Sequence, residues 1–391
     1  MQRARRSGCR RSRVNAEDGP IPRWTLLGLV TLAHALGAFS VLAVAPLSPF
    51  LLESLDLSRA QVGLLLPAIY LGGVLTSLPA GWLTDRLGVR LALVLGQGLT
   101  GGMIGLAALD FGFATLLGLL LLGGFGWSVL NPATGRAVLE WFPPRTRGLA
   151  MGVKQTGLTV GGIAAALILP PVALVAGWQR ALAAAAASSL LSATLVGIAY
   201  RSPSGPVEKP RTDRPRLDEI GAFLRRPGLL AVFGCGLALS IAQSSVLAYL
   251  VIYAKDVFRV SVVEAGRILA LAQAGGTAAR LGWGIVSDRL FGGLVPARLT
   301  TLVAVLAGAG AFCWVGLYLA LMAEVGGPRY TGLLTGVAMT FAWSGVLVGP
   351  PIFGLVLEAT GSYRLPWLLL AAGELLVAAV LSALRPLVQR G

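Results

Sequence analysis

The chain has 391 residues, 55% of them hydrophobic and only 13% charged, with a mean hydropathy of +0.77. Soluble domains carry about 25% charged residues, so this composition excludes a water-soluble core and makes lipid the solvent for most of the chain. A net charge of +15 invites a nucleic-acid partner, but the basic residues sit between apolar runs rather than on one polar face, which argues against that reading.

Residues 1–23 hold seven arginines. The apolar run behind them is too long for a secretory signal core and carries no small-residue cleavage site. A basic cytoplasmic tail leading into an uncleaved span is expected. Apolar runs of spanning length then fall at about 24–51, 61–83, 91–109, 113–138, 149–173 and 178–199. Residues 200–227 carry seven Lys or Arg, four Asp or Glu and five prolines, the composition of a solvated linker. Further runs fall at about 228–254, 263–286, 299–323, 331–357 and 365–384, before a short tail at 385–391. The expected fold is an all-α membrane protein. A six-helix half over 24–199 and a cytoplasmic linker over 200–227 precede a second half of about five helices over 228–384.

Orientation follows from the excess of basic residues on the cytoplasmic side of membrane proteins. With the tail inside, 23 lysines and arginines face the cytoplasm and six face outward. Arg136, Lys154 and Arg280 remain at membrane depth.

Each half repeats one motif after its second run: Gly81, Asp85, Arg86, Gly88 and Arg90 in the first, and Gly284, Asp288 and Arg289 in the second. A glycine permits close approach of helices, and an acid beside an arginine at a helix end can cap it or pair across the loop. The motif resembles the cytoplasmic loop signature of the major facilitator superfamily, with Val89 in place of its first basic residue. The segments from Asn131 to Pro144 and from Arg147 to Gly157 are similar to bacterial members, and so is the Gly/Pro-rich run from Gly345 to Gly354. The resemblance covers most of the chain from Trp24 to Leu384. It implies a bundle of two pseudo-symmetric halves with the substrate held between them.

Under this resemblance Gly81, Asp85, Arg86, Asp288 and Arg289 form a gating latch, joined by Arg90, Arg136 and Glu140; static anchoring of the loop is the alternative. Arg280 is the leading substrate residue. Aligning the halves on Asp85 and Asp288 sets Ser77 opposite it, so the latch does not require a basic residue there. A buried arginine eight residues into the helix, about 12 Å, needs an anion, a partner or a cavity. The oxalate/formate, monocarboxylate and nitrate/nitrite branches carry an arginine in that span. His34, Gln155, Gln243 and Tyr249 are further cavity candidates, each equally explained by packing hydrogen bonds. Lys154, about 8 Å into its span, reads as a side chain reaching back to the headgroups. Glu374, in mid-span of the last helix, needs a partner.

Cys9, Cys235 and Cys313 have no metal or disulfide spacing. No nucleophile–base pair and no phosphate-binding loop appear, so neither an enzyme nor a cofactor is expected. The expected function is secondary active transport of a small anionic organic solute across the bacterial inner membrane. Transport would proceed by alternating access, coupled to protons or a counter-anion, in a monomer whose partners are solute, ion and lipid, not nucleic acid. The alternatives are efflux of apolar or cationic compounds, and a non-transporting or defective membrane protein.

The last possibility arises from residues 299–327. Leu299 to Ala323 spans about 38 Å of helix, one crossing rather than the two that the resemblance implies. Eleven full helices are therefore expected where the family has 12. A single crossing would also carry Arg329, Arg385 and Arg390 to the outer side.

Overall fold

The computed structural model describes residues 22–202, 227–291 and 314–388. Its elements are α1 (Arg23–Val41), α2 (Val44–Ser54), α3 (Arg59–Ala107), α4 (Phe113–Trp141), α5 (Pro144–Ala176) and α6 (Trp178–Ala199). After the linker come α7 (Pro227–Phe258), α8 (Val262–Phe291), α9 (Trp314–Thr360) and α10 (Arg364–Val388). The fold is an all-α membrane bundle. Eight stretches among the described residues are long and apolar enough to cross a bilayer, as expected where no water is present to satisfy a free backbone amide.

Two of the elements are hairpins. In α3, Gly88 has φ 78°, a conformation that favours glycine, and interrupts the helical backbone. Both arms reach the same turn of α4: Gly124 abuts the Ile69 carbonyl, and Thr100 donates to the Gly123 carbonyl at 3.0 Å. Thirty-one residues of straight helix would separate Ile69 and Thr100 by about 46 Å. The contact needs glycine, because a Cβ at Gly72 or Gly124 would overlap the backbone opposite.

The same argument resolves α9. The Tyr318 hydroxyl donates to the Ala338 carbonyl at 3.1 Å, although 20 residues of straight helix span about 30 Å. Trp314, Tyr318 and Met322 share one apolar cluster with Leu334, Ala338 and Ala342. The pairs are centred on Pro328, so the chain reverses at Gly327–Arg329.

Helix direction follows from contacts along the axes. Phe233 stacks on Phe341, Gly345 meets the Leu237 carbonyl, and Gly349 meets Ile241. The second arm of α9 therefore runs parallel to α7, and its turn lies at the end where α7 begins. Arg329 therefore sits at the same end of the bundle as the linker, not at the opposite end as a single crossing would have placed it. The described part of 299–327 is the arm from Trp314 to the turn. Residues 292–313 lie outside the described residues, and with them the expected helix deletion and the count of eleven.

The first six helices pack on one another, with α1 against α5 and α6 and both arms of α3 against α4. In the second set α7 lies between α9 and α10. The two sets meet along α3 with α9 and α5 with α8. If α9 is a hairpin, cysteines placed at 318 and 338 in a cysteine-free background should cross-link in a single chain. A straight helix would leave the pair unlinked.

Candidate functional site

Three polar regions stand out along the bundle. At the end that carries the linker, Arg136 on α4 organises the loop between the α3 arms. Its Nη1 donates to Asp85 Oδ1 at 2.9 Å and to the Thr84 carbonyl at 3.0 Å, and its Nε donates to Glu140 Oε1 at 2.7 Å. The Tyr200 hydroxyl donates to Glu140 Oε2 at 3.3 Å. Burial, and then the Glu140 carboxylate, push the Tyr200 phenol up from its ordinary value.

Arg90 does not join this network. It donates from Nε to the Gly197 carbonyl at 2.8 Å, with a second bond from Nη2, and so caps the last turn of α6. Arg86 lies over the Trp82 ring at 5.2 Å. Gly81 faces open space, so close helix approach does not explain it. The second-half positions Asp288 and Arg289 lie on α8, but their side chains are outside the described residues, as is that of Arg280.

At the opposite end the two sets of helices are tied together. Arg59 Nη2 pairs with Asp256 Oδ2 at 2.8 Å, and the Tyr363 hydroxyl donates to the same oxygen at 2.8 Å. The Tyr249 hydroxyl donates to the Arg59 carbonyl at 2.7 Å, the Ala60 amide donates to Glu358 Oε2 at 3.1 Å, and Lys255 pairs with Glu53. Tyr249 stacks on Phe353 at 4.5 Å. It is thus a strut of this seal rather than a cavity residue. The sequence signal missed was the set of lone charges Glu53, Arg59, Asp256 and Glu358, which no shared motif links.

Between these ends lies a small pocket of about 10 Å³, lined by Tyr70, Gly73, Trp127, Ser128, Asn131 and Trp343. It lies where α3 and α4 face α9. Asn131 Oδ1 accepts from Lys154 Nζ at 3.0 Å, and Gln155 Oε1 accepts from it at 3.2 Å. Lys154 is only 5% exposed. It is held within the bundle rather than reaching the headgroups. Among the described residues no carboxylate pairs with it. His34 is fully buried edge-on to Trp127 at 6.1 Å, and neither ring nitrogen has a hydrogen-bond partner among the described residues. Gln243 is elsewhere, accepting from Trp314 Nε1 at 2.8 Å as a packing bond.

An apolar helical bundle with a polar cavity between two sets of helices, sealed at one end, defines a polytopic membrane transporter. Residues 29–327 match the Major Facilitator Superfamily, and the chain belongs to that family. Its members here are transporters, not enzymes. An uncharacterized MFS-type transporter of Mycobacterium tuberculosis (strain H37Rv) is 28% identical over 89% of this chain and 82% of its own. The hexuronate transporter of Bacillus subtilis is 26% identical over 88% and 90% respectively. The galacturonate transporter of Dickeya chrysanthemi is 28% identical over 46% and 52%. A bacterial homolog of the human lysosomal transporter Spinster, in an inward-facing and unoccupied conformation, superimposes with a TM-score of 0.78. It is 16% identical, and the match covers 95% of this chain and 99% of that one.

The Arg136 network makes a stability prediction. Asp85 is 67% exposed on its side chain and Glu140 only 6%. Asp85→Ala should cost about 0.5 kcal/mol, as exposed pairs do. Arg136→Ala strands a buried carboxylate and should cost about 3 kcal/mol. Thermal unfolding of the purified variants should separate them clearly; equal shifts would show that Arg136 acts only through Asp85.

Proposed function

We propose that the protein is a secondary active transporter of a small organic anion in the bacterial inner membrane, with its N-terminus and linker in the cytoplasm. The carrying observation is the Lys154 ammonium. It is buried behind Asn131, a lining residue of the pocket, with two neutral acceptors, Asn131 and Gln155, and among the described residues its third N–H donor has no acceptor. An unpaired charge at membrane depth is costly, and an anionic solute supplies the missing partner. The names of the hexuronate and galacturonate relatives agree with such a solute. Trp127, Tyr70 and Trp343 line the pocket, which at about 10 Å³ is closed around no more than a water; widened by movement of the two sets of helices, it would offer aromatic faces to a ring-shaped acid. Arg280, on α8, remains a second candidate for the same carboxylate.

Alternating access is the mechanism that this arrangement supports. The seal joining Glu53, Arg59 and Ala60 to Asp256, Lys255 and Glu358 closes the outer end. Exposed ion pairs contribute only about 0–1 kcal/mol each, so the seal can open at modest cost when the solute favours the other state. The Asp85–Arg136–Glu140 cluster at the cytoplasmic end is the counterpart that biases the exchange. Protons or a counter-anion provide the drive, and His34, buried beside Trp127, is the proton-carrying candidate.

Uptake of radiolabelled glucuronate into proteoliposomes tests the solute. Lys154→Gln should lower saturable uptake at least tenfold while leaving the thermal unfolding midpoint in place, and Arg280→Ala should do the same. Unchanged uptake in Lys154→Gln overturns the anion site, and uptake of lipophilic cations in place of glucuronate favours the exporter alternative. Asp85→Asn should slow net uptake several-fold while leaving solute affinity intact; equal losses of affinity and rate would place Asp85 at the solute.

A further inference from the structure

A second crevice, of about 260 Å³, opens between α7, α9 and α10. Ala238 and Ile241 line it from α7, Ile352 and Phe353 from α9, and Leu369 from α10. Glu374 is the one polar side chain among its described lining residues. Ile352 and Leu369 are 52% and 51% exposed, so the crevice is open sideways, on a surface that faces lipid in a membrane bundle. Glu374 lines it while only 8% exposed, and its Oε2 is buried with no hydrogen-bond partner among the described residues. None of the described salt bridges includes it. The Cys235 thiol on α7 is its titratable neighbour and offers no positive charge.

The position of the carboxyl selects the ligand. Glu374 is ten residues into α10 from Arg364, about 15 Å by helical rise, which is half the thickness of a roughly 30 Å hydrocarbon core. A carboxyl at that depth calls for a cation, and walls of this kind call for an apolar body. A phospholipid ammonium stays at the headgroup level, about 15 Å away, and does not meet both demands.

We propose that this crevice binds a lipophilic amine that enters sideways from the bilayer, with its apolar body against α7, α9 and α10 and its ammonium on Glu374. The site is independent of the anion cavity, since all three walls belong to the second set of helices and Lys154 is on α5. An occupant braces α7 against α9, the helices that carry Tyr249, Asp256 and Glu358 of the outer seal. It therefore slows transport without competing with the solute.

Binding of radiolabelled imipramine, a tricyclic tertiary amine, to the purified full-length chain in phosphatidylcholine nanodiscs tests the site. Saturable binding is expected, at least tenfold weaker in Glu374→Gln and unchanged in Lys154→Gln. On the unaltered protein, the isosteric hydrocarbon with carbon in place of the amine nitrogen should compete at least tenfold less well. That comparison decides the matter even if Glu374→Gln fails to fold. Equal binding by Glu374→Gln, equal competition by the hydrocarbon, or loss of binding in Lys154→Gln would each overturn the assignment.

Discussion

Every charge in the interior of this bundle must find a partner inside the protein, because the surrounding hydrocarbon offers none. The constraint first forces the backbone into helices, whose amides bond within the segment. It then governs each interior polar side chain. Arg136 meets it fully, with Glu140, Asp85 and the Thr84 carbonyl. At the bundle end the exposed Arg90 and the half-buried Arg147 instead cap helix ends, on the Gly197 carbonyl and on those of Phe142 and Leu139. Lys154 and Glu374 meet it only in part. In a medium that penalises unpaired charge, partial satisfaction is what makes these two positions the candidates for a ligand.

The two incomplete sites have opposite sign and sit in different sets of helices. Lys154 stands behind Asn131 at a pocket between the sets, where the proposed anion would be touched from both sides and would couple their motion. Glu374 lines a crevice within one set, where the proposed cation would touch only helices that already pack together. The same electrostatic requirement thus separates a position suited to a transported solute from one suited to a modulator.

The ends of the bundle show a division of labour of another kind. At the end carrying Arg59 the connections run between the two sets, through Asp256, Glu358 and Lys255. At the end carrying Asp85 the described connections run within the first set and hold the α3 turn against α4 and the residue that follows α6. A bundle tied across at one end has a defined point about which its other end can move.

Apolar runs of membrane length are read directly from composition, since a span of about 20 residues leaves few alternatives in lipid. For that reason the all-α membrane class, the family and the spans through α7 were legible in the chain. So were Asp85, Arg136 and Glu140 as a group, because the i,i+4 spacing of Arg136 and Glu140 puts them on one helix face and the loop motif names the third. The partners of Arg90, Lys154, Gln243 and Tyr249 were not legible. Gly197, Trp314 and the Arg59 carbonyl lie tens to hundreds of residues away in the chain, and only helix packing brings them near. The reversal at Pro328 is of the same kind: a sequence of 47 helical residues does not say that Tyr318 touches Ala338. Local hydropathy and spacing determined which segments lie in the membrane. Which interior charges are left incomplete, and so where this protein can hold a ligand, was decided only by the tertiary contacts that satisfy the others.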